Sequence, residues 1–267
     1  MPKISVIIAA YNAQLYVERA IKSILNQTYQ NFEIIVCDDN STDNTYDILV
    51  NLSTQDERIK VLKNEINMKA AYTRNRCLEH CNGTYIAIQD SDDFSHPSRL
   101  KEQISYLEQN RHIDFVSSRM YKVQEDIQSS QYNKWPKTQY KLPYIEYPKN
   151  KDFLKRLPYA HAATMFKKCA VDEVMGYRVS KETVRGQDAD LFIRLHSVGK
   201  RGHNLNKYLY YYFEGENAFK RKKFKYQIDA CKIRYKGYKK LKLLPMGYIF
   251  ALKPLLSGLL PRKIIRR

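Results

Sequence analysis

The chain has 267 residues, 43% of them hydrophobic, enough to bury the core of one large α/β domain or two small ones. Nine Gly and nine Pro exclude a low-complexity or collagen-like chain; five cysteines, odd in number and without a Cys-x-x-Cys pair, argue against a disulfide-stapled scaffold and, with no signal peptide evident, point to a reducing compartment. The net charge of +18 is local: Glu216 to Arg267 holds 16 basic and 2 acidic residues, a net of +14, so pI alone does not mark a nucleic-acid binder.

Ile4 to Ala10 and Ile34 to Cys37 are apolar runs that predict buried strands of a parallel sheet. Between them Val17, Ala20, Ile21, Ile24 and Leu25 recur at helical spacing, predicting a helix over Ala13 to Gln27. The alternation continues with a helix over Asp43 to Leu52, a strand over Ile59 to Leu62, and a helix over Lys69 to Cys81 stopped by Asn82-Gly83. Cys77, His80 and Cys81 share a turn of that helix, but without paired-ligand spacing they read as a buried face and not a metal site. A strand over Tyr85 to Gln89, a helix over Pro97 to Gln109 with Pro in its first turn, and a strand over Asp114 to Val123 follow. From Gln124 to about Asn150 the period is lost, and a connection of that length is more often functional than idle. Order returns as a strand over Ala162 to Phe166, a helix over Ala189 to Val198 and a strand over Tyr208 to Phe213, then basic helices to the end. The pattern predicts an α/β doubly wound, mostly parallel sheet flanked by helices over residues 1–215, with a basic amphipathic helical extension over 216–267.

Several polar clusters fall where strands end, which is where open α/β sheets bind ligands. Asp90-Ser91-Asp92-Asp93 directly follows the strand Tyr85 to Gln89; packed carboxylates there suit a hard divalent cation that bridges a diphosphate, or equally a solvated turn. Asp39, in Cys37-Asp-Asp-Asn-Ser-Thr-Asp43, can accept from a pyrimidine N–H or ribose hydroxyls, while Ser41, Thr42 or Asp43 can simply cap the next helix. Tyr11, in Ala10-Tyr11-Asn12, can pack against a base or serve as a rim aromatic. Arg74 and Arg76 suit phosphate oxygens or a solvated helix face. Asp188, where a loop meets a helix, is either a general base or a favourable charge at a helix N-terminus, and Asp190 and Arg194 are spaced to pair along that helix.

Taken in order, the blocks Ser5-Val-Ile-Ile-Ala-Ala-Tyr-Asn12, Gln27-Thr-Tyr29, Phe32-Glu-Ile-Ile-Val-Cys-Asp-Asp-Asn-Ser-Thr-Asp43, Arg74-Asn-Arg76, Gln89-Asp-Ser-Asp-Asp93 and Gln187-Asp-Ala-Asp-Leu191 resemble the family 2 glycosyltransferases of the GT-A fold, over roughly Lys3 to Phe213. The resemblance implies a nucleotide-sugar half over about 1–123 and an acceptor half over about 124–215. It implies that Ala10, Tyr11, Asn12 and Asp39 hold base and ribose, that Arg74 and Asp90 complete the pocket, and that Asp92, with Asp93 nearby, meets Mn²⁺ or Mg²⁺. Asp188 matches the family's base for an inverting transfer from a nucleotide-diphosphate sugar, UDP favoured; Gln187 departs from the Glu common there, which implies an altered local hydrogen bond. Trp135, Tyr159, His161, Gly186 and Gln187 fall where the family builds its acceptor side, with a structural role the plainer reading for His161.

The clusters Lys220-Arg-Lys-Lys-Phe-Lys225, Lys239-Lys-Leu-Lys242 and Arg262-Lys-Ile-Ile-Arg-Arg267 flank apolar stretches, a composition suited to an anionic lipid surface and otherwise to a helical extension packed on the domain; no nucleic-acid module appears. No run reaches a membrane span, since Pro245, Lys253 and Pro254 interrupt Leu243 to Leu260. The expectation is an enzyme of surface-polysaccharide synthesis (capsule, O-antigen or similar), cytoplasmic and peripheral on the inner face of the cell membrane, acting on a lipid-linked or oligosaccharide acceptor. The alternatives are a glycosyltransferase-like binding protein without catalysis, which the intact acidic residues argue against, and a nucleotidyltransferase, for which no Gly-rich basic loop stands near the N-terminus.

Overall fold

A computed structural model describes residues 3–123, 138–139, 144–213 and 224–259. The strands are β1 (Ile4–Ala10), β2 (Phe32–Asp38), β3 (Ile59–Lys63), β4 (Tyr85–Asp90), β5 (Phe94–Ser95), β6 (Phe115–Val123), β7 (Thr138–Gln139), β8 (Met165–Lys167) and β9 (Gly202–Phe213). The helices are α1 (Val17–Leu25), α2 (Thr45–Gln55), α3 (Lys69–Glu79), α4 (Arg99–Gln109), α5 (Lys168–Glu173), α6 (Gln187–Ser197), α7 (Phe224–Lys240) and α8 (Gly247–Leu259).

The strands form one mixed, mostly parallel sheet in the order β3-β2-β1-β4-β8-β6-β9-β5, with β7 on β6. The apolar runs of the sequence are apolar because both faces are covered. Val6 and Ile8 of β1 face one side, with Val17, Ile21 and Ile24 of α1, Leu49 of α2 and Leu100 and Ile104 of α4. Ile7 faces the other, where Cys77 of α3, Val171 of α5 and Leu191 and Leu195 of α6 lie. Cys77 and Cys81 are buried and His80 Nδ1 lies 2.8 Å from Arg76 O, so that helix face is structural.

The sequence expectation of a strand over Ala162 to Phe166 is corrected: residues 161–163 form a 3₁₀ turn and the strand is the shorter β8. Side chains of α4 take carbonyls that a ladder would have used. Arg99, fully buried, donates to Ala162 O at 3.2 Å, and Gln103 donates to Ala163 O at 2.8 Å. The last strand starts at Gly202 instead of Tyr208, because its polar first half, Asn204 to Lys207, hides the alternation and register shifts beside Arg119 break the ladder. β8 runs antiparallel to both β4 and β6, which makes the sheet mixed.

α7 and α8 pack on the α6 side. Ile233, Tyr238, Leu241 and Ala251 belong to the same core as Leu191 and Phe192. Gly237 permits that approach, since a Cβ there would sit 2.7 Å from Ile193 Cδ1. Pro254 inside α8 has no N–H for Phe250 O, and Arg234 of α7 donates to that carbonyl at 3.2 Å.

Candidate active site

Strand order reverses between β1 and β4: β2 lies on one side of β1 and β4 on the other, all three parallel. Register places Ala10 opposite Asp38 and Ala9 opposite Asp90. The polar residues that follow each strand therefore open onto one crevice.

The loops after β1 and β2 are zipped together. Asp39 N donates to Ala10 O at 2.8 Å, Asn12 N to Ser41 Oγ at 3.0 Å, and Asn12 Oδ1 accepts from Thr42 N at 2.9 Å. Asn12, at φ 48°, thus ties the two loops together, while Tyr11 is left 47% exposed on the shelf they form. Asp39 is buried, and its carboxylate accepts from Asn64 Nδ2 and Met68 N at 2.7 Å each and from Lys69 N at 2.8 Å. These bonds anchor the start of α3, where Lys69 takes φ 70°, and leave acceptor capacity on Oδ2 for a base or ribose donor.

Deeper in, Arg74 is 7% exposed and donates Nη2 to Asp90 Oδ1 at 2.7 Å; its Nη1 has no hydrogen-bond partner among the described residues. Asp90 N and Gln89 Nε2 both donate to the Tyr210 hydroxyl, at 3.1 and 3.2 Å, so β9 braces the end of β4. Asp92 is half-buried, and its carbonyl accepts from Arg19 at 2.9 Å. Asp93 is 1% exposed, with Oδ1 accepting from Phe213 N at 2.7 Å; burial, then the charges of Asp92 and Asp90, push its carboxyl well above the usual range. The carboxylates at the end of β4 and in the turn that follows therefore divide between Asp90 at the cavity wall and Asp93 in the interior.

An open cavity of about 300 Å³ joins Arg74 and Asp90 to Tyr159, His161, Gln187 and Asp188. Asp188 lies in the first turn of α6, which starts after Gly186 at φ 121°, a backbone angle that favours glycine. Its Oδ1 accepts from Ala189 N at 2.8 Å, and Gln187 Oε1 turns back to accept from Gly186 N at 3.1 Å. The predicted Asp190–Arg194 pair forms at 2.7 Å. His161 Nε2 lies 2.7 Å from the Tyr177 hydroxyl; burial, then Arg74, push its pKa down to about 4, so it is neutral at pH 7. Tyr159 is a wall of the cavity, its ring packed among Phe115, Phe153 and Phe192 and its hydroxyl 2.9 Å from His196 Nε2. Trp135 lies outside the described residues.

Sequence reasoning misses Asn64, Tyr177 and Tyr210. Asn64 sits in a polar loop with no motif, and the tyrosines are lost among 22 of their kind. Among the described residues no group of three His, Cys, Asp or Glu side chains forms a metal cage. Asp90 and Asp92, both half-buried, supply the carboxylate chemistry that Mn²⁺ or Mg²⁺ takes, since such ions are commonly held by one or two carboxylates with substrate oxygens and water completing the set.

The family model Glycosyl transferase family 2 matches residues 5–174. EpsE of Bacillus subtilis (strain 168), named as a glycosyltransferase, is 37% identical over 268 residues, spanning 100% of this chain and 92% of its own. The UDP-Glc:alpha-D-GlcNAc-diphosphoundecaprenol beta-1,3-glucosyltransferase WfaP of Escherichia coli is 40% identical over 127 residues, 48% of this chain and 49% of its own. Among solved structures, S. aureus TarS 1–349 in complex with UDP-GlcNAc superposes with TM-score 0.72 at 19% identity, covering 98% of this chain and 77% of TarS 1–349. The mannosyltransferase PcManGT of Pyrobaculum calidifontis, in complex with GDP-Man and Mn²⁺, superposes with TM-score 0.59 at 17% identity, over 96% of this chain and 75% of its own. The chain therefore belongs to glycosyltransferase family 2 and carries the GT-A fold.

Proposed function

We propose that this chain is an inverting glycosyltransferase that moves a sugar from a UDP-sugar onto a hydroxyl of a lipid-linked or oligosaccharide acceptor in surface-polysaccharide synthesis. The observation that carries the reading is the shared cavity: Asp188 and Arg74, whose Nη1 is unmatched, line one space beside the nucleotide shelf. The UDP-Glc donor and diphosphoundecaprenol-linked acceptor in WfaP's name, and the UDP-GlcNAc held by TarS, support the donor and acceptor classes.

In this reading Tyr11 and Asp39 hold base and ribose, and Arg74 meets a charged or hydroxyl oxygen of the donor. Asp188 accepts the proton of the acceptor hydroxyl as that oxygen attacks the anomeric carbon; the bond from that carbon to the diphosphate breaks, its electron pair leaves with the diphosphate, and the configuration inverts. Mn²⁺ or Mg²⁺, held through Asp92 when bound, would neutralise charge on the departing diphosphate. His161, neutral and 2.7 Å from the Tyr177 hydroxyl, does not titrate near pH 7.

Thermal melting with UDP, GDP, dTDP and CMP, each with and without Mn²⁺, tests the donor site. Nucleotide at about 100-fold over its Kd adds about 2.7 kcal/mol, a rise of several degrees for a chain of this size. The expected result is a Mn²⁺-dependent rise with UDP alone, abolished or strongly reduced in Asp92→Ala; an equal rise in that variant would remove Asp92 from the metal role.

The reading includes peripheral attachment to an anionic membrane. No described helix is long and apolar enough to cross one. α7 exposes Phe224, Ile228 and Tyr235, α8 exposes Tyr248, Ile249 and Leu252, and the Tyr235 and Tyr248 rings lie 5.6 Å apart. Among residues 224–255, Asp229 is the one acidic side chain and is buried, so the charges around that apolar face are basic. Each near-surface cation contributes about 1 kcal/mol toward an anionic bilayer. Co-sedimentation with phosphatidylglycerol vesicles should be lost at high salt and in Ile249→Asp; binding indifferent to both would sink the attachment.

A further inference from the structure

The first turn of α6, which carries Asp188, is held from outside the cavity. Asp190, 8% exposed, accepts from Arg194 Nε at 2.7 Å and from Arg178 Nε at 2.9 Å. Arg194 also donates to Val174 O and Gly176 O, fixing the preceding turn. Arg178 reaches Glu182 at 3.4 Å, and Glu182 receives Lys236 of α7 on both oxygens, at 2.9 and 2.8 Å. Hydrogen bonding to Lys236 is the main reason the Glu182 carboxyl lies below the usual range. Next to Glu182, buried Thr183 donates to Arg178 O at 2.6 Å and closes that loop. One chain of charges, Lys236–Glu182–Arg178–Asp190–Arg194, thus runs from α7 to the turn that presents Asp188.

The apolar contacts follow the same line. A Cβ on Gly186, the residue before α6, would meet Ile233 Cδ1 of α7 at 3.1 Å, and one on Gly237 would meet Ile193 Cδ1 of α6 at 2.7 Å. α7 and α6 therefore touch backbone to side chain in both directions, with little slack between them. The outer pair of the relay is half in solvent, where ion pairs add little stability. Its consequence is geometric. The nucleotide-shelf residues Ala10, Tyr11 and Asp39 belong to β1, β2 and their loops, so α7 bears on the base and not on the shelf.

We propose that Arg178 and Glu182 are positioning residues through which α7 sets the place of Asp188, so that the C-terminal helices govern the chemical step and not donor binding. This rests on Asp188 being the base. A displacement of about 1 Å at a reacting group can cost up to 10²-fold in rate. A helix whose far face is basic and apolar is in a position to pass a movement at that face to the reacting carboxylate.

The test uses the full chain with UDP-glucose as donor and undecaprenyl-diphosphate-linked N-acetylglucosamine as acceptor, reading UDP release, together with amide hydrogen exchange of residues 186–190. Arg178→Met and Lys236→Glu are expected to lower kcat about tenfold or more while donor KM and UDP affinity stay within about twofold. Both should speed exchange at 186–190, and Lys236→Arg should restore wild-type values. Unchanged exchange at 186–190 overturns the proposal whether or not this donor is turned over. Wild-type kcat in Arg178→Met beside an inactive Asp188→Asn also overturns it, leaving the base assignment intact. So does a joint loss of kcat, UDP affinity and melting temperature, which marks simple unfolding. Transfer by Asp188→Asn at the wild-type rate is a separate failure, that of the base itself.

Discussion

Asp188→Asn is expected to slow sugar transfer by roughly 10²–10⁴-fold, the usual contribution of a general base. The amide keeps the shape of the side chain and can still accept from Ala189 N through its oxygen, so α6 should start where it does now. It cannot take a proton from an acceptor hydroxyl. Nucleotide binding should survive, because the residues assigned to base and ribose lie on β1, β2 and their loops and Asp188 lies on α6. The measurement is a pair: kcat by UDP release, and UDP affinity by calorimetry with Mn²⁺. A loss of affinity matching the loss of rate would mean that Asp188 holds the donor, and the proton would then need another acceptor.

Asp39→Ala is expected to cost both stability and nucleotide. Asn64 Nδ2, Met68 N and Lys69 N would lose their common acceptor. A buried donor left unmatched costs about 1–3 kcal/mol. Water can enter from the shelf, so a total of about 3 kcal/mol is the expectation, a fall of about 6–12 °C in melting temperature. The positive φ of Lys69 adds to the effect, since a strained backbone angle persists only while its surroundings hold it. Calorimetric melting of the variant with and without UDP reads both effects. The UDP-dependent rise should vanish; if it persisted in full, Asp39 would be an anchor for α3 and nothing more.

The two residues differ in how far the sequence reveals them. The place of Asp188 is legible because its block, Gln187-Asp-Ala-Asp-Leu191, sets a carboxylate at the junction of a polar loop and an amphipathic helix, and α6 begins there. The sequence offers Asp39 as a candidate ligand for base or ribose, but its part in anchoring α3 is not legible there, because Met68 and Lys69 lie about thirty residues downstream and contribute only backbone N–H groups. The resemblance groups Asn12 with the nucleotide residues; what the sequence does not show is that its Oδ1 also accepts from Thr42 N and ties the two loops together. Asp90, Asp92 and Asp93 look equivalent in the chain. β9 separates them, by placing the Tyr210 hydroxyl against Asp90 N and the Phe213 N–H against Asp93.

The sequence by itself determined the longer elements of the N-terminal half and their layering. Runs such as Ile4 to Ala10 can be buried on both faces only in a sheet covered by helices, and the helical spacing of Val17 to Leu25 supplies such a cover. It also determined that the polar clusters stand at strand ends, since the apolar period stops where they begin. It left open the order and direction of β8, β6 and β9, because pairing across the sheet joins residues far apart in the chain, and because the three-residue β8 begins only where Arg99 and Gln103 stop taking carbonyls. It also left open where the basic helices go. Their charge predicts a surface, but contact of Gly237 with Ile193 and of Lys236 with Glu182 joins residues more than forty apart, and only the folded chain brings them within reach.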